Sequence, residues 1–296
     1  MKSSVIYHRI KADKFFLLKS YLKDMLVMLV MIGLLAHFKI GLHLDLSAVA
    51  MIVVVGIAVI NGLLISSFLH NSSHGNVGSK LVNRVVGEYC GYWVLYGFSN
   101  FVLVHMLHHQ FSDKDLDPVN PKGMSFFTFL TAPMRYMIKT TKQFLYQTHG
   151  NKKNYQTIMD AQIAVFHLNL ALRLVIWFLL LGKTMFFCFY LPGFLTIVSI
   201  FAHINYVCHR DLEDGSVEVV NLNHNLYFKI ANFFTIGGYF HKSHHLNMKA
   251  FDPRQVAKRR SLPLSTIEKR EFHAGSFFTR YMGINNVWGE GQKNRN

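Results

Sequence analysis

The sequence has few charged residues and few cysteines. Only 16% of its 296 residues are Asp, Glu, Lys or Arg, whereas 51% are hydrophobic. This composition is too apolar for an average soluble domain and favours a membrane protein. The three cysteines, Cys90, Cys188 and Cys208, form no CxxC pair. The sequence therefore contains neither a disulfide framework nor a zinc-ribbon motif.

Acidic residues are also scarce. The sequence contains 16 Asp and Glu but 31 Lys and Arg. The resulting net charge of +15 could suit a nucleic-acid partner. The basic residues flank apolar runs instead of forming a separate polar module, so we expect no nucleic-acid binding. Positive charge beside membrane spans is typical of the cytoplasmic side. We interpret residues 1–24, which carry no cleavable signal, as an amphipathic segment on that membrane surface.

Long apolar runs predict four membrane-spanning helices in two hairpins. A hydrocarbon core of about 30 Å requires about 20 helical residues. Runs of this length occur at about residues 25–44, 46–69, 162–181 and 184–206. The connections between the paired runs are short, with the second at Gly182-Lys183.

The distribution of Lys and Arg then places both termini in the cytoplasm. We predict an all-α integral membrane protein with a single domain covering residues 1–296. A cytoplasmic helical cap would consist of residues 71–160 and 207–296 and would hold a histidine-rich di-metal site.

The stretch from residue 85 to 104 has two interpretations. It is apolar enough to be another span, but glycines and polar residues interrupt it. A full crossing would put the histidines before it and those after it on opposite sides of the membrane. We therefore favour a helix that lies on the membrane surface or dips into it.

Histidines at helical spacing are the most informative feature of the chain. Residues at i, i+3 and i+4 share one helix face. The motifs are His70/His74, His105/His108/His109, Asn205/His209 and His241/His244/His245. Nine imidazoles exceed what one metal binds and suit zinc, copper, iron or nickel, so the motifs predict two metals. At least one of Asp113, Asp115 and Asp117 should accept the second N–H of a ligand imidazole.

These motifs resemble the three histidine boxes of membrane fatty acyl desaturases, within the superfamily that also contains membrane hydroxylases. The segment His108-His109-Gln110-Phe111-Ser112, followed by Asp117-Pro118-Val119-Asn120, is similar to the one after the second box of acyl-CoA desaturases. The Asn205/His209 spacing also fits, and the resemblance covers about residues 65–250. The first box ends His74-Gly75, and the late box follows Ile236-Gly237-Gly238-Tyr239-Phe240, so the branch and the acyl carrier stay open.

The resemblance implies two irons, dioxygen as co-substrate, and a fatty acyl chain on acyl carrier protein, CoA or a lipid. The iron ligands would be His70, His74, His105, His108, His109, His209, His241, His244 and His245, with Asn205 binding directly or through water. A separate electron donor, a ferredoxin or a cytochrome b-type protein, would be required. The site would face the cytoplasm from a bacterial inner membrane or the endoplasmic reticulum.

Three other functions stay open at this stage. A hydroxylase of alkyl, acyl or carotenoid-like lipids would use the same ligands, and an acetylenase would form a triple bond. A membrane metal carrier would use the histidines without catalysis. For aromatic residues near the motifs, among them Trp93, Tyr96, Phe101, Trp177 and Phe201, we favour ordinary packing over a role in lining a substrate tunnel.

Overall fold

The computed structural model describes residues 5–266, apart from 43, 121–123, 132, 213 and 215. Helices dominate these residues, and a short antiparallel β-hairpin follows the longest helical stretch. The elements are α1 (Val5–Ala12), α2 (Phe16–His37), α3 (Ala48–His74), α4 (Lys80–Trp93), α5 (Phe98–Phe111), α6 (Phe126–Thr131), α7 (Pro133–His149), α8 (Lys153–Met185), a π-helical segment (Phe186–Tyr190), α9 (Leu191–Cys208), β1 (His209–Asp211), β2 (Val217–Val219), α10 (Leu226–Phe234), α11 (His241–Leu246) and α12 (Pro253–Arg259).

Two helical stretches in the described residues are long and apolar enough to cross a membrane. They are α3 and the continuous stretch Lys153–Cys208, and the bent pair α4–α5 would be a third if it counts as one broken span. The predicted span at 25–44 falls mostly in α2, which starts and ends earlier and is not among these candidates. These helices indicate a membrane protein, and the four-span topology remains a prediction.

The stretch Lys153–Cys208 folds back on itself at Gly182. Gly182 has φ 65° and ψ 174°, a conformation that essentially only glycine adopts. The rings of Trp177 and Tyr190 stack with centroids 5.0 Å apart, whereas 13 residues of straight helix would separate them by about 20 Å. The chain therefore reverses where the sequence predicted a hairpin turn, and α2 packs on α8 while α3 packs on α9.

The stretch 85–104 is divided between α4 and α5, whose axes differ by 95°. Leu95 and Gly97 in the connection both have positive φ angles. The buried guanidinium of Arg173 donates to the carbonyl of Leu95 and pairs with Asp24 at 3.2 Å, which holds the bend. As a result α5 returns to the end of α3 from which α4 departs.

One sequence expectation needs correction. The chain is not all-α, because His209 leaves α9 in an extended conformation and β1 pairs with β2 in antiparallel register. The N-terminal segment forms two helices, because the chain breaks between α1 and α2, where the Asp13 carboxylate accepts from the amide of Phe15. Helix α10 exposes the apolar side chains of Leu226, Ile230 and Phe233.

Candidate metal centre

All nine predicted histidines converge at one end of the helices. The last turn of α3 carries His70 and His74, and Gly75 in the left-handed conformation ends that helix. The last turns of α5 and the single turn of α11 each carry a histidine triplet, and His209 begins β1. The nitrogens form two groups, one of five and one of four histidines, and within each group the ligand atoms lie within 4.8 Å of one another.

The five-histidine group contains His70, His74, His105, His109 and His244. Its Nε2 atoms face each other in a chain. The Nε2 of His105 is 2.8 Å from that of His74 and 3.1 Å from that of His109. The Nε2 of His244 is 3.0 Å from that of His109 and 3.1 Å from that of His70.

The four-histidine group contains His108, His209, His241 and His245. The Nε2 of His241 lies 3.0 Å from that of His209 and 3.1 Å from that of His245. The Nε2 of His108 is buried and has no hydrogen-bond partner among the described residues. The two groups are neighbours, since the rings of His109 and His245 have centroids 4.8 Å apart.

Both groups fit a bound cation better than a hydrogen-bonded cluster. A neutral imidazole nitrogen takes part in one in-plane hydrogen bond, yet the Nε2 atoms of His105, His109 and His244 each face two others. With metal–nitrogen bonds of about 2.1 Å, neighbouring nitrogens in a five- or six-coordinate shell lie about 3 Å apart. That is the spacing seen here, so a metal in each group would satisfy nitrogens that hydrogen bonds leave unsatisfied.

The electrostatic environment keeps these imidazoles in the form that binds metals. Burial, reinforced by neighbouring histidines, lowers the pKa of His241, His244 and His245 well below the ordinary 6.5. Their rings are consequently neutral at pH 7, as metal coordination requires.

Two carboxylates orient the four-histidine group from outside. The Nδ1 of His108 donates to Asp117, 3.0 Å away, and the Nδ1 of His209 donates to Asp113, 2.9 Å away. Burial raises the pKa of Asp113, but the hydrogen bonds from His209 and Ser112 and the electrostatic effect of His209 and His108 together outweigh it and hold the pKa below its usual value. Both bonds direct Nε2 toward the group. Asp115 is exposed and accepts no hydrogen bond from these histidines in the described part of the chain, so the structure does not support that candidate.

Asn205 and Asn221 hold different positions around the site. The side-chain nitrogen of Asn205 donates to the carbonyl of Phe201, and its buried Oδ1 has no partner in the described chain. Asn221 was not found from the sequence. Its buried side chain accepts from the amide of Ser243 at 3.0 Å and donates to the Ser243 hydroxyl, which anchors α11. No residue spacing links Asn221 to the third histidine motif, and only the fold brings them together.

A largely apolar cavity reaches both histidine groups. His105 of the five-histidine group and His108 of the four-histidine group both line it, as does Asn205. Tyr96, Phe101 and Phe201 pack against the hydrophobic core, as expected, and line the cavity as well, whereas Trp93 and Trp177 are not part of its lining. The remaining wall comes mainly from α7, α8 and α9.

The fold and site define a mostly helical protein with membrane-type apolar helices and a histidine cluster that is compatible with metal binding. The family model for fatty acid desaturases matches residues 46–255. The chain therefore belongs to the fatty acid desaturase family, which confirms the resemblance and supports oxidoreductase activity of the desaturase type. No significant match was found among curated proteins or among solved structures.

Proposed function

We propose that the chain is an O₂-dependent two-iron desaturase that introduces unsaturation into a fatty acyl chain. The observation that carries this proposal is the apolar cavity into which His105 and His108 both project, one from each histidine group. An acyl chain in this cavity would have its methylene groups beside both groups. Family membership supports the same reaction.

The five-histidine and four-histidine groups would hold one iron each. Bound there, the two irons would supply the activation of dioxygen that attack on an unactivated C–H bond requires. The protein's own residues orient the ligands of these irons. Asp113 and Asp117 hold the proton on Nδ1 of His209 and His108, so Nε2 presents its lone pair. The buried Oδ1 of Asn205, which has no partner among the described residues, would offer a further oxygen to the metal, directly or through water.

The cavity wall orients the substrate and excludes water. Phe101 stacks on the ring of His105 with centroids 5.5 Å apart and contacts Phe201 at 5.3 Å. These rings shield the metal-facing side of the cavity. Exclusion of water also limits side reactions of a strong oxidant.

The reaction requires two electrons per turnover from outside the chain. We propose a separate donor, a ferredoxin or a cytochrome b-type protein, and a cytoplasmic site with both termini on the same side. The net charge of +15 suits an acidic donor. The host membrane would be a bacterial inner membrane or the endoplasmic reticulum.

Product analysis in an expressing host tests the reaction. Mass spectrometry of lipids and acyl thioesters should reveal acyl chains two mass units lighter in cells that make the protein, and none with His108→Ala. The matched control is His167→Ala, since His167 is exposed on α8 and outside both groups. It should retain full conversion.

Other products would identify another reaction. A hydroxylated chain without new unsaturation would reject desaturation in favour of hydroxylation, and chains four mass units lighter would indicate an acetylenase. Metal binding with no altered lipid, in cells that supply ferredoxin and cytochrome donors, would favour a metal carrier.

A further inference from the structure

Helix α10 turns an apolar face away from the protein core. Phe228 and Ala231 are buried on its inner side, whereas Leu226, Ile230 and Phe233 are 71%, 50% and 70% exposed. The spacing of i, i+4 and i+7 puts these three exposed side chains on one face of the helix. Contact of such a face with water is unfavourable, and its size marks an interaction site.

The apolar face of α10 lies next to the lipid-facing surface of α3. Ile57, Ile60 and Leu64 lie on one face of α3, which is a candidate membrane span, and all three are exposed. Helix α10 packs on α3 at the end of this surface, where Leu63 contacts the core cluster that contains Phe228. The exposed apolar surface of the span therefore continues onto α10.

A basic segment runs alongside α10. Helix α12 begins next to the end of α10, where the Arg254 guanidinium donates to the carbonyl of Asn232 at 3.4 Å. The chain then returns toward the start of α10, since the amide of Ser265 donates to the carbonyl of Asn221 at 2.8 Å. The stretch between these two contacts carries an exposed basic run, which consists of Lys258, Arg259 and Arg260.

An apolar helix face with basic residues beside it is typical of a helix in the membrane interface. Such a helix places its apolar side chains at the boundary between acyl chains and head groups. Helix α10 and residues 253–265 together contain five basic residues and no acidic residue. Anionic head groups attract basic clusters of this kind. Continuity with the surface of α3 favours lipid over a protein partner, because a membrane span already brings lipid to this position.

We propose that α10 inserts into the membrane leaflet on the side of the metal site and that the run Lys258-Arg259-Arg260 binds anionic phospholipid head groups there. The assignment concerns the seating of the chain in the membrane and does not depend on the reaction. The insertion would also steady the third histidine motif. The side chain of Asn232 in α10 accepts from the amide of Tyr239 at 2.9 Å, two residues before His241.

Quenching of tryptophan fluorescence by brominated phospholipids tests whether the face of α10 touches acyl chains. Phe233→Trp and, separately, Ile230→Trp are placed in nanodiscs whose phospholipids carry bromine on the acyl chains. Both variants should be quenched more than the wild-type protein, whose three tryptophans set the baseline. The control is Asn154→Trp, at an exposed position in the polar first turn of α8, which should add no quenching.

The preference for anionic head groups is measured at fixed lipid composition. Phe233→Trp is placed in nanodiscs of phosphatidylglycerol and phosphatidylcholine in equal parts, with bromine on only one of the two lipids. Brominated phosphatidylglycerol should quench at least about twofold more strongly. Arg259→Gln/Arg260→Gln should abolish most of this difference. The matched control Lys152→Gln/Lys153→Gln removes two adjacent exposed lysines at the start of α8 and should keep it.

Three results would overturn the proposal. Quenching of Phe233→Trp and Ile230→Trp no greater than that of Asn154→Trp would mean that lipid does not cover α10. If that result came with two chains in each nanodisc, the face would be assigned to a second copy instead. Equal quenching by the two brominated lipids, or an equal loss of the preference in both double variants, would reject the basic run as the head-group site.

Discussion

Asp117 is a single buried carboxylate on which several contacts of the metal centre depend. It accepts from His108 Nδ1 and from the amides of Asp113 and Val119. We expect Asp117→Asn to lower metal occupancy and activity by about 10- to 100-fold, because an amide loses the charge and one of the acceptor oxygens. Metal content per purified chain, measured by mass spectrometry, checks this without an activity assay.

Asp115→Asn is the matched control. It makes the same chemical change two residues away in the same turn, at an exposed position. It should keep wild-type metal content and activity. Equal losses in Asp115→Asn and Asp117→Asn would mean that the charge of the turn matters and the hydrogen bond to His108 does not.

At the scale of single residues, the sequence predicted which residues form the site better than it predicted their hydrogen-bond partners. Helical spacing was sufficient to nominate eight of the nine histidines, because i, i+3 and i+4 positions share a helix face whatever the tertiary fold. His209 has the same spacing from Asn205 but lies in β1, so the shared-face argument does not hold for it. Spacing could not separate Asp115 from Asp113 and Asp117. That choice depends on the turn, in which Asp113 adopts φ 64° and redirects the chain. No sequence pattern indicated the role of Asn221, since its hydrogen-bond partner Ser243 is 22 residues away.

At the scale of elements, local rules predicted breaks and failed on boundaries. Gly182 marked a hairpin turn because few other residues tolerate its backbone conformation. For residues 85–104 the sequence favoured a helix on or dipping into the membrane surface, and it did not predict the 95° bend that divides this stretch between α4 and α5. Helix ends were less predictable: α8 begins at Lys153, about nine residues before the apolar run, because polar helical turns extend beyond the apolar segment.

The packing of α3 on α9 leads to a prediction about the whole metal centre. At Gly62 an added Cβ would lie 2.6 Å from the backbone oxygen of Gly193. Gly62→Ala must therefore separate α3, which carries His70 and His74, from α9, which leads to His209. We expect a loss of about 1–3 kcal/mol in stability, typical of overpacking, and a reduced metal content. Thermal unfolding in detergent, followed alongside metal analysis, measures both.

Gly56→Ala provides the comparison within the same helix. No atom lies within 4 Å of a Cβ added at Gly56. This variant should be neutral or slightly stabilising, because alanine favours helix over glycine. If the two variants unfolded at the same temperature, close approach of α3 and α9 at Gly62 would not contribute to stability.

For the molecule as a whole, the neutral histidines of α11 predict how stability depends on pH. The pKa values of His241, His244 and His245 in the folded chain lie well below 6.5, their value in an unfolded chain. As pH falls through 6.5, the unfolded chain binds protons first, so the free energy of unfolding decreases. The metal-free protein should thus melt at lower temperature at about pH 5.5 than at about pH 7.5. A melting temperature that stays constant or rises over this range would contradict the prediction.

Membrane topology is the whole-molecule feature on which the shared metal site depends. His74 and His105 have Nε2 atoms 2.8 Å apart, so the chain between them must leave and return on one side. The turn after α5 should then be cytoplasmic, and the turn at Gly182-Lys183 should face the opposite side. Lys114→Cys and Lys183→Cys, both at exposed positions, report on these two turns. A membrane-impermeant maleimide added to intact cells should label Lys183→Cys alone, and permeabilised cells should show labelling of both variants.

Labelling of Lys114→Cys from outside would mean that α4 and α5 cross the bilayer or that the whole protein is inverted. Labelling of Lys183→Cys in the same cells separates these cases, because an inverted protein would protect it.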